Sequence, residues 1–321
     1  MSVGGHGPIQ ESAKQSQVVQ AFRPAVPGEP EGSHDTSSDS VGRSAVGGYS
    51  PDKRRPAAIG RHARMDLVFA YRRGRTVLTH AYAEPPFRIG RSLDAGPYAY
   101  VILACTGPGV FVGDTLHTHV RVERGARVLR ASQAALQVHP AAKAQAATIA
   151  SDYEVEDDGE LDCLWDPVIP FANARLTQRI ALQIASGSRV FWSDALMSGR
   201  TGRGERWRFH ELGHELRLTV DGSLAYLERY RLTSPSPSVT RPWMAASAHY
   251  LGTTIVHEHA TAARAEEIQR QLDAIGEIRA GVDCVAPHLL VGRLLSTRGP
   301  QFAAARAAFR QTFVRPPMRR G

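Results

Sequence analysis

From Met65 to about Arg231 the chain alternates apolar and polar residues. Leu116, Thr118, Val120 and Val122 take one parity, and His117, His119, Arg121 and Glu123 the other. Leu216, Leu218 and Val220 stand against Glu215, Arg217 and Thr219 in the same way. A period of two puts one face of a strand in a core and the other in water. The pairs Arg124-Gly125, Asp158-Gly159, Ser186-Gly187 and Asp221-Gly222 punctuate the pattern as turns. No long helical period interrupts it. The stretch therefore predicts a mostly β protein, a layered β-helix or sandwich-like body of serial strands, and excludes alternating strand–helix folds. Serial hairpins are the expected connection.

Two helices are predicted in the C-terminal half. Ala262, Ala265, Ile268, Leu272 and Ile275 fall at helical spacing over Thr261 to Ile275, and Gly276 ends that run. A strand is predicted over Pro287 to Leu295. Phe302, Ala305, Phe309 and Phe313 then share one face of a helix from Gly299 to Phe313. Residues 1–64 are rich in Gly, Ser and Pro and poor in large apolar groups, which predicts a disordered N-terminal extension. Met65 opens the first strand-like run, so the extension is either flexible sequence or lies ahead of a natural start at Met65. A β-rich domain is expected over 65–314 and a mobile tail over 315–321.

Composition narrows the class. Of 321 residues 42% are hydrophobic, enough for a sizeable core, and no apolar run reaches the length of a membrane span. Cys105, Cys163 and Cys284 are widely spaced and form neither a ligand cluster nor a disulfide framework. With no secretory pattern at the start, a cytoplasmic location is expected. The net charge is +8, carried by scattered arginines, with Lys14, Lys53 and Lys143 the three lysines. No basic block adjoins a row of aromatics, so a basic surface for an acidic protein partner is expected before nucleic acid. No membrane partner is expected.

Three motifs invite chemistry. His210-Glu211-Leu212-Gly213-His214 matches the zinc-protease pattern H-E-x-x-H, which needs both histidines one helical turn apart. The flanking period is two, and on a strand the two histidines stand about 13 Å apart. A β-rich zinc metalloenzyme built on this segment is thus the alternative reading, not the leading one. Gly107-Pro108-Gly109-Val110-Phe111-Val112-Gly113-Asp114 comes after an apolar strand, but the residues beyond it alternate as a strand again. A phosphate cradle needs a helix N-terminus there, so a tight glycine turn is expected. His117 with His119, and His257 with His259, read as a weak metal pair or as surface histidines. No serine or cysteine sits in a nucleophile setting. No catalytic residue and no tightly bound cofactor are predicted.

Four segments, in order, resemble the urease accessory protein family UreD. They are Thr106 to Asp114, with Gly107, Gly109 and Gly113; Ser132 to His139, with Gln133; Asp166 to Phe171, with Pro167 and Pro170; and Gly199 to Glu205, with Gly199, Arg200 and Gly204. Pro108, Val112, Gln137, His139 and Trp165 depart from the family pattern. The resemblance implies a β-rich stack with two helices and no reaction of its own. It implies a chaperone that binds apo-urease and UreF, that reaches the nickel-carrying GTPase UreG through UreF, and that has an internal passage for nickel in transit. Asp114 and Glu205 each close a glycine-rich motif. They are the metal-transit candidates, as moderate hard ligands for Ni(II), unless they simply hold their turns. The C-terminal helices are expected to contribute to UreF binding by the same resemblance.

Overall fold

The computed structural model describes residues 60–90, 93–95, 98–141, 144–234, 239–242, 244–259 and 261–313. The predicted extension, as far as residue 59, and the predicted tail 315–321 lie outside them.

The chain opens with the hairpin β1 (His62–Arg72) and β2 (Arg75–Ala83), then β3 (Phe87–Ile89), β4 (Leu93–Ala95) and β5 (Tyr98–Cys105). Three coils of three strands come next. The first holds β6 (Thr115–Val122), β7 (Arg127–Ser132) and β8 (Leu136–Val138). The second holds β9 (Ala147–Val155), β10 (Glu160–Leu164) and β11 (Val168–Pro170). The third holds β12 (Arg175–Ile184), β13 (Arg189–Ser193) and β14 (Leu196–Met197). The hairpin β15 (Glu211–Val220) and β16 (Ser223–Thr233) closes the stack. Then come β17 (Tyr250–His257), α1 (Ala265–Asp273), β18 (Ile278–Ala286), β19 (Leu289–Ser296) and α2 (Gly299–Phe313).

The strands are serial, but most are not joined as hairpins. Equivalent strands of successive coils pair in parallel, with β6–β9–β12–β15 on one wall, β7–β10–β13 on a second and β8–β11–β14 on a third. This is a solenoid-like stack. Thr115 pairs with Thr148, Thr148 with Thr177, and Thr177 with Gly213, so successive coils advance 33, 29 and 36 residues. That unequal advance hides the repeat from the sequence. The alternation works as predicted: Leu116, Val120 and Val122 are buried together with Leu216 and Leu218. Second-wall residues Val128, Leu161, Val190 and Trp192 meet them in one core.

The first strand starts at His62, three residues before the expected opening at Met65, because β1 pairs with β6 from His62↔Thr115 onward. The last helix occupies its predicted span. The preceding one is shorter than predicted: Thr261–Arg264 is a 3₁₀ turn and α1 starts at Ala265. The strand predicted over Pro287 to Leu295 is β19, Leu289–Ser296. The sequence reading missed β17 and β18. In β17, Ile255 belongs to the main core and Val256 to a second one, so both faces are covered and the alternation is lost.

The second core lies outside the coils. Phe302, Phe309 and Phe313 of α2 pack on Phe191, Val256, Leu290 and Leu294. Glycines at the contact let the helix settle. A Cβ on Gly292 would stand 2.1 Å from Cζ of Phe309, and one on Gly252 2.7 Å from Cζ of Phe302. The helix is thus part of the core, and deleting residues 299–321 would test stability before it tested partner binding.

Candidate functional site

The coil geometry brings the four motif segments to one corner. The short third-wall strands β8 and β11 carry the second and third segments, and the fourth comes directly after β14. The glycine loop folds over the first coil. Val110 forms a parallel bridge with Val138, its N–H donates to the Gln137 carbonyl at 2.8 Å, and its carbonyl accepts from His139 N–H at 2.8 Å. Gly109 has φ +125, and a Cβ there would stand 2.4 Å from the Gln137 carbonyl oxygen. Only glycine fits that approach. Gly107 (φ 108) faces open space, and the Gly113 carbonyl lies close under Gly60. The loop is a tight turn between strands, as expected, and no helix succeeds it.

Asp114 is buried and fully engaged. It accepts the Arg61 backbone N–H at 2.7 Å, Arg61 Nη2 at 2.5 Å, Arg61 Nε at 3.1 Å and Phe111 N–H at 2.9 Å. Arg61 Nη2 also donates to the Gly109 carbonyl at 2.7 Å. Burial alone would raise the Asp114 carboxyl, but the Arg61 and Phe111 bonds hold it below its ordinary value of 3.8. At the other end of the corner, Arg200 grips Glu205 with Nε at 2.8 Å and again with Nη2, and Ala172 N–H donates to the same carboxylate at 3.1 Å. Arg200 holds Glu205 below its ordinary value. Gly199 (φ +133) lets the chain double back, since a Cβ there would be 2.2 Å from the Glu205 carbonyl oxygen. Both acids therefore fasten their own turns with arginine and backbone amides.

An aromatic ladder joins these ends. Arg61 sits 5.6 Å over the Phe111 ring, Phe111 stacks on His139 at 4.3 Å, His139 meets Phe171 edge-on at 4.9 Å, and Arg200 covers Phe171 at 3.9 Å. His139 Nε2 lies 2.6 Å from the Pro108 carbonyl. Phe111 is 38% exposed. Beside the ladder is a shallow hollow of about 570 Å³, lined by Gln137, His139, Ile169, Phe171, Arg200 and Arg203 among others. Pro167 and Pro170 stiffen β11 here, with the Pro167 carbonyl accepting Leu136 N–H. Gln133 is exposed and tied by its N–H to the Leu103 carbonyl. Reading the sequence missed Arg61, Phe111 and the ladder. Arg61 lay in the stretch taken as extension, and stacking across coils leaves no spacing signal.

A mostly apolar interior holding a few polar groups lies behind the corner. One cavity of about 80 Å³ is lined by Cys105, Arg130, Ser132, Asp166, Gln178 and Asp194 among others. A second, of about 310 Å³, shares Gln178, Asp194 and Ala195 with it and adds His214, Glu228, Tyr230 and Arg293. His214 is buried, 3.2 Å from Gln178 and 3.9 Å from Asp194, and stacks on Tyr230 at 4.7 Å. Burial lowers its pKa. His210 is exposed, and Glu211 to His214 lie on β15, so the zinc-protease geometry is not formed. His117 lies 2.6 Å from Asp152 and His119 3.3 Å from Glu154. His257 approaches the Ser188 carbonyl, and His259 stacks on His288. Among the described residues no group of three or more His, Cys, Asp or Glu side chains is arranged to hold a metal ion, and no helix is long and apolar enough to cross a membrane.

The depressed Asp114 value sets a pH prediction. A carboxyl whose folded pKa lies below its unfolded one adds stability that is complete above the unfolded value and is lost as pH falls through the folded one. Asp114→Asn is expected to cost about 2 kcal/mol at pH 7, the scale of charge-assisted bonds to a buried acceptor. The gap to wild type should begin to narrow near pH 4 and close as pH falls through the lower folded value. Urea unfolding at pH 7, 5 and 3 checks this; a gap independent of pH would count against it.

Comparison with known proteins gives one family. The profile of the family described as UreD urease accessory protein matches residues 61–320. The chain is 36% identical over 167 residues to the urease accessory protein UreD of Sorangium cellulosum, covering 52% of this chain and 53% of that one. It is 29% identical over 241 residues to the protein of that name from an Anaeromyxobacter species, covering 74% and 80%. With the Halalkalibacterium halodurans protein it shares 28% over 249 residues, covering 76% and 90%. The match to the Sorangium relative thus spans about half of that protein's length.

Proposed function

The chain belongs to the UreD family of urease accessory proteins, and from that premise we propose that it is a non-enzymatic chaperone of urease maturation. In this reading it acts in the cytoplasm, docks UreF and, through UreF, the GTPase UreG beside apo-urease, and lets nickel pass toward the urease site. The observation that carries it is the convergence of the four motif segments on one solvent-facing corner. That corner offers aromatic rings flanked by Arg61, Arg200 and Arg203, which suits a partner presenting apolar and acidic side chains. Asp114 and Glu205 then keep the corner in shape.

We assign the nickel path to the interior behind the corner, where Asp194 and His214 line adjoining cavities. Carboxylate and imidazole donors spread along a path, rather than gathered as a cage, suit a cargo that must leave again. Asp114 and Glu205 are less suited to that role, because a nickel ion would have to displace a guanidinium from each.

The test pairs Phe111→Asp with Arg203→Glu, both exposed and outside any core. The double variant should fold normally and lose UreF co-purification by at least about tenfold, the loss of one hot-spot contact. Urease activity and nickel content in a strain lacking its own copy should fall with it. Undiminished UreF capture with lost urease capture would reassign the corner to urease. Undiminished capture of both would end the docking reading.

A further inference from the structure

Arg130 of β7 is the one large charged side chain among the most deeply buried residues, 1% exposed. Its Nη1 donates to Cys163 Sγ at 3.4 Å, and the guanidinium face lies 3.6 Å over the Trp165 ring and 5.5 Å from Tyr153. Its remaining edge, Nε with Nη2, has no hydrogen-bond partner. Arg130 lines the 80 Å³ cavity, together with Thr118, Ser132 and Ser151. The neighbouring Tyr153 hydroxyl, the indole N–H groups of Trp165 and Trp192, and Asp194 Oδ2 in the same lining are also buried without hydrogen-bond partners. Asp166, also in the lining, is tied to Ser132 through its side chain at 2.9 Å and its N–H at 2.7 Å.

A guanidinium removed from water with two donors unmet is costly, and natural interiors compensate such a charge. Stacking on Trp165 satisfies the face and leaves the in-plane edge open. The Nε/Nη2 edge is a two-pronged donor whose spacing matches two oxygens of one anion. The indole N–H groups around it are donors too. The unmet acceptor in the lining, Asp194 Oδ2, can take the proton of an anion that carries one, such as bicarbonate or hydrogenphosphate. The lining therefore suits a small oxyanion, best one that keeps a proton. A space of this size admits a few atoms and no nucleotide.

We propose that the open edge of Arg130, backed by Ser151 in the interior of the coils, binds a small oxyanion of the formate, bicarbonate or phosphate kind. The site shares its cavity with the interior assigned above to nickel, but its occupancy is read on the isolated chain without nickel, urease or UreF, so the two readings fail separately.

Thermal unfolding of the full chain, and its tryptophan fluorescence, to which Trp165 beneath the guanidinium contributes, would be followed while sodium formate, bicarbonate or phosphate replaces sodium chloride at constant ionic strength. Wild type should show a saturable rise in Tm and a saturable change in fluorescence with at least one of the three anions. Arg130→Met should be the more stable protein in chloride, having lost the uncompensated charge, and should lose the anion response. If Arg130→Met does not fold, Ser151→Val, which fills the cavity beside the edge, should weaken the apparent affinity at least about tenfold. A wild-type response no different from chloride would overturn the site and mean that water alone fills the cavity. So would an Arg130→Met or Ser151→Val protein that responds as wild type does.

Discussion

Replacing Arg189 by leucine is expected to lower the free energy of unfolding by about 4 kcal/mol, the scale for breaking a buried ion pair from one side. Arg189 joins two carboxylates that are almost wholly buried, Glu160 at 3% exposure and Glu258 at 5%. Nη1 meets Glu160 at 2.6 Å; Nη2 and Nε meet Glu258 at 2.9 and 3.2 Å. Nη2 also donates to the Phe313 carbonyl at 2.6 Å. One side chain thus ties the second wall of the coils, the exit of β17 and the last turn of α2. Removing it leaves Glu258 with Arg264, but Glu160 keeps only the Tyr98 hydroxyl. The charge left at Glu160 is the main cost, so adding Glu160→Gln should restore part of the loss. Urea unfolding of the single and double variants measures both. A single-variant loss below about 1 kcal/mol, the value of a surface pair, would show that the network does not hold the end of the stack.

Gly199→Ala is expected to cost about 3 kcal/mol, combining backbone strain with overpacking. The new methyl would stand 2.2 Å from the Glu205 carbonyl oxygen and 3.3 Å from the Pro170 carbonyl oxygen, at φ +133. Neither neighbour is a side chain that can swing away. The turn would have to open, parting Arg200 from Glu205 and Phe171 and spoiling the ladder. Gly204→Ala is the matched control. Its φ is +70 with nothing within 4 Å, so only the left-handed penalty of about 1 kcal/mol applies. Denaturant unfolding should rank Gly199→Ala well below Gly204→Ala, and UreF capture should fail for the first and persist for the second. Equal losses would mean that the close approach at Gly199 relaxes without cost.

Much of this fold was legible in one dimension because alternation is a local consequence of strand geometry. Thr115 to Val122 and Glu211 to Val220 show their buried faces residue by residue. The helix over Gly299–Phe313 was legible for the same reason, through the spacing of Phe302, Phe309 and Phe313. Strand β17 was not, because burial on both faces erases the period. The hairpin expectation failed because a turn signal such as Asp158-Gly159 marks a change of direction without saying which strand becomes the neighbour. Gly292 and Gly252 read only as glycines in strands; their meaning lies in two phenylalanine rings that arrive from a helix later in the chain.

The amino-acid sequence by itself determined the class of the fold, the two helices, the absence of a zinc-protease helix at His210 to His214, and four motifs in family order. Tertiary structure alone decided that those motifs form one corner, that Arg61 and Arg200 take the carboxylates of Asp114 and Glu205, and that Arg130 faces a cavity with an unmet edge. The physical reason is range. Backbone periodicity is written within a few residues, whereas contacts between coils join residues about thirty positions apart through parallel pairing, at intervals the sequence does not keep constant.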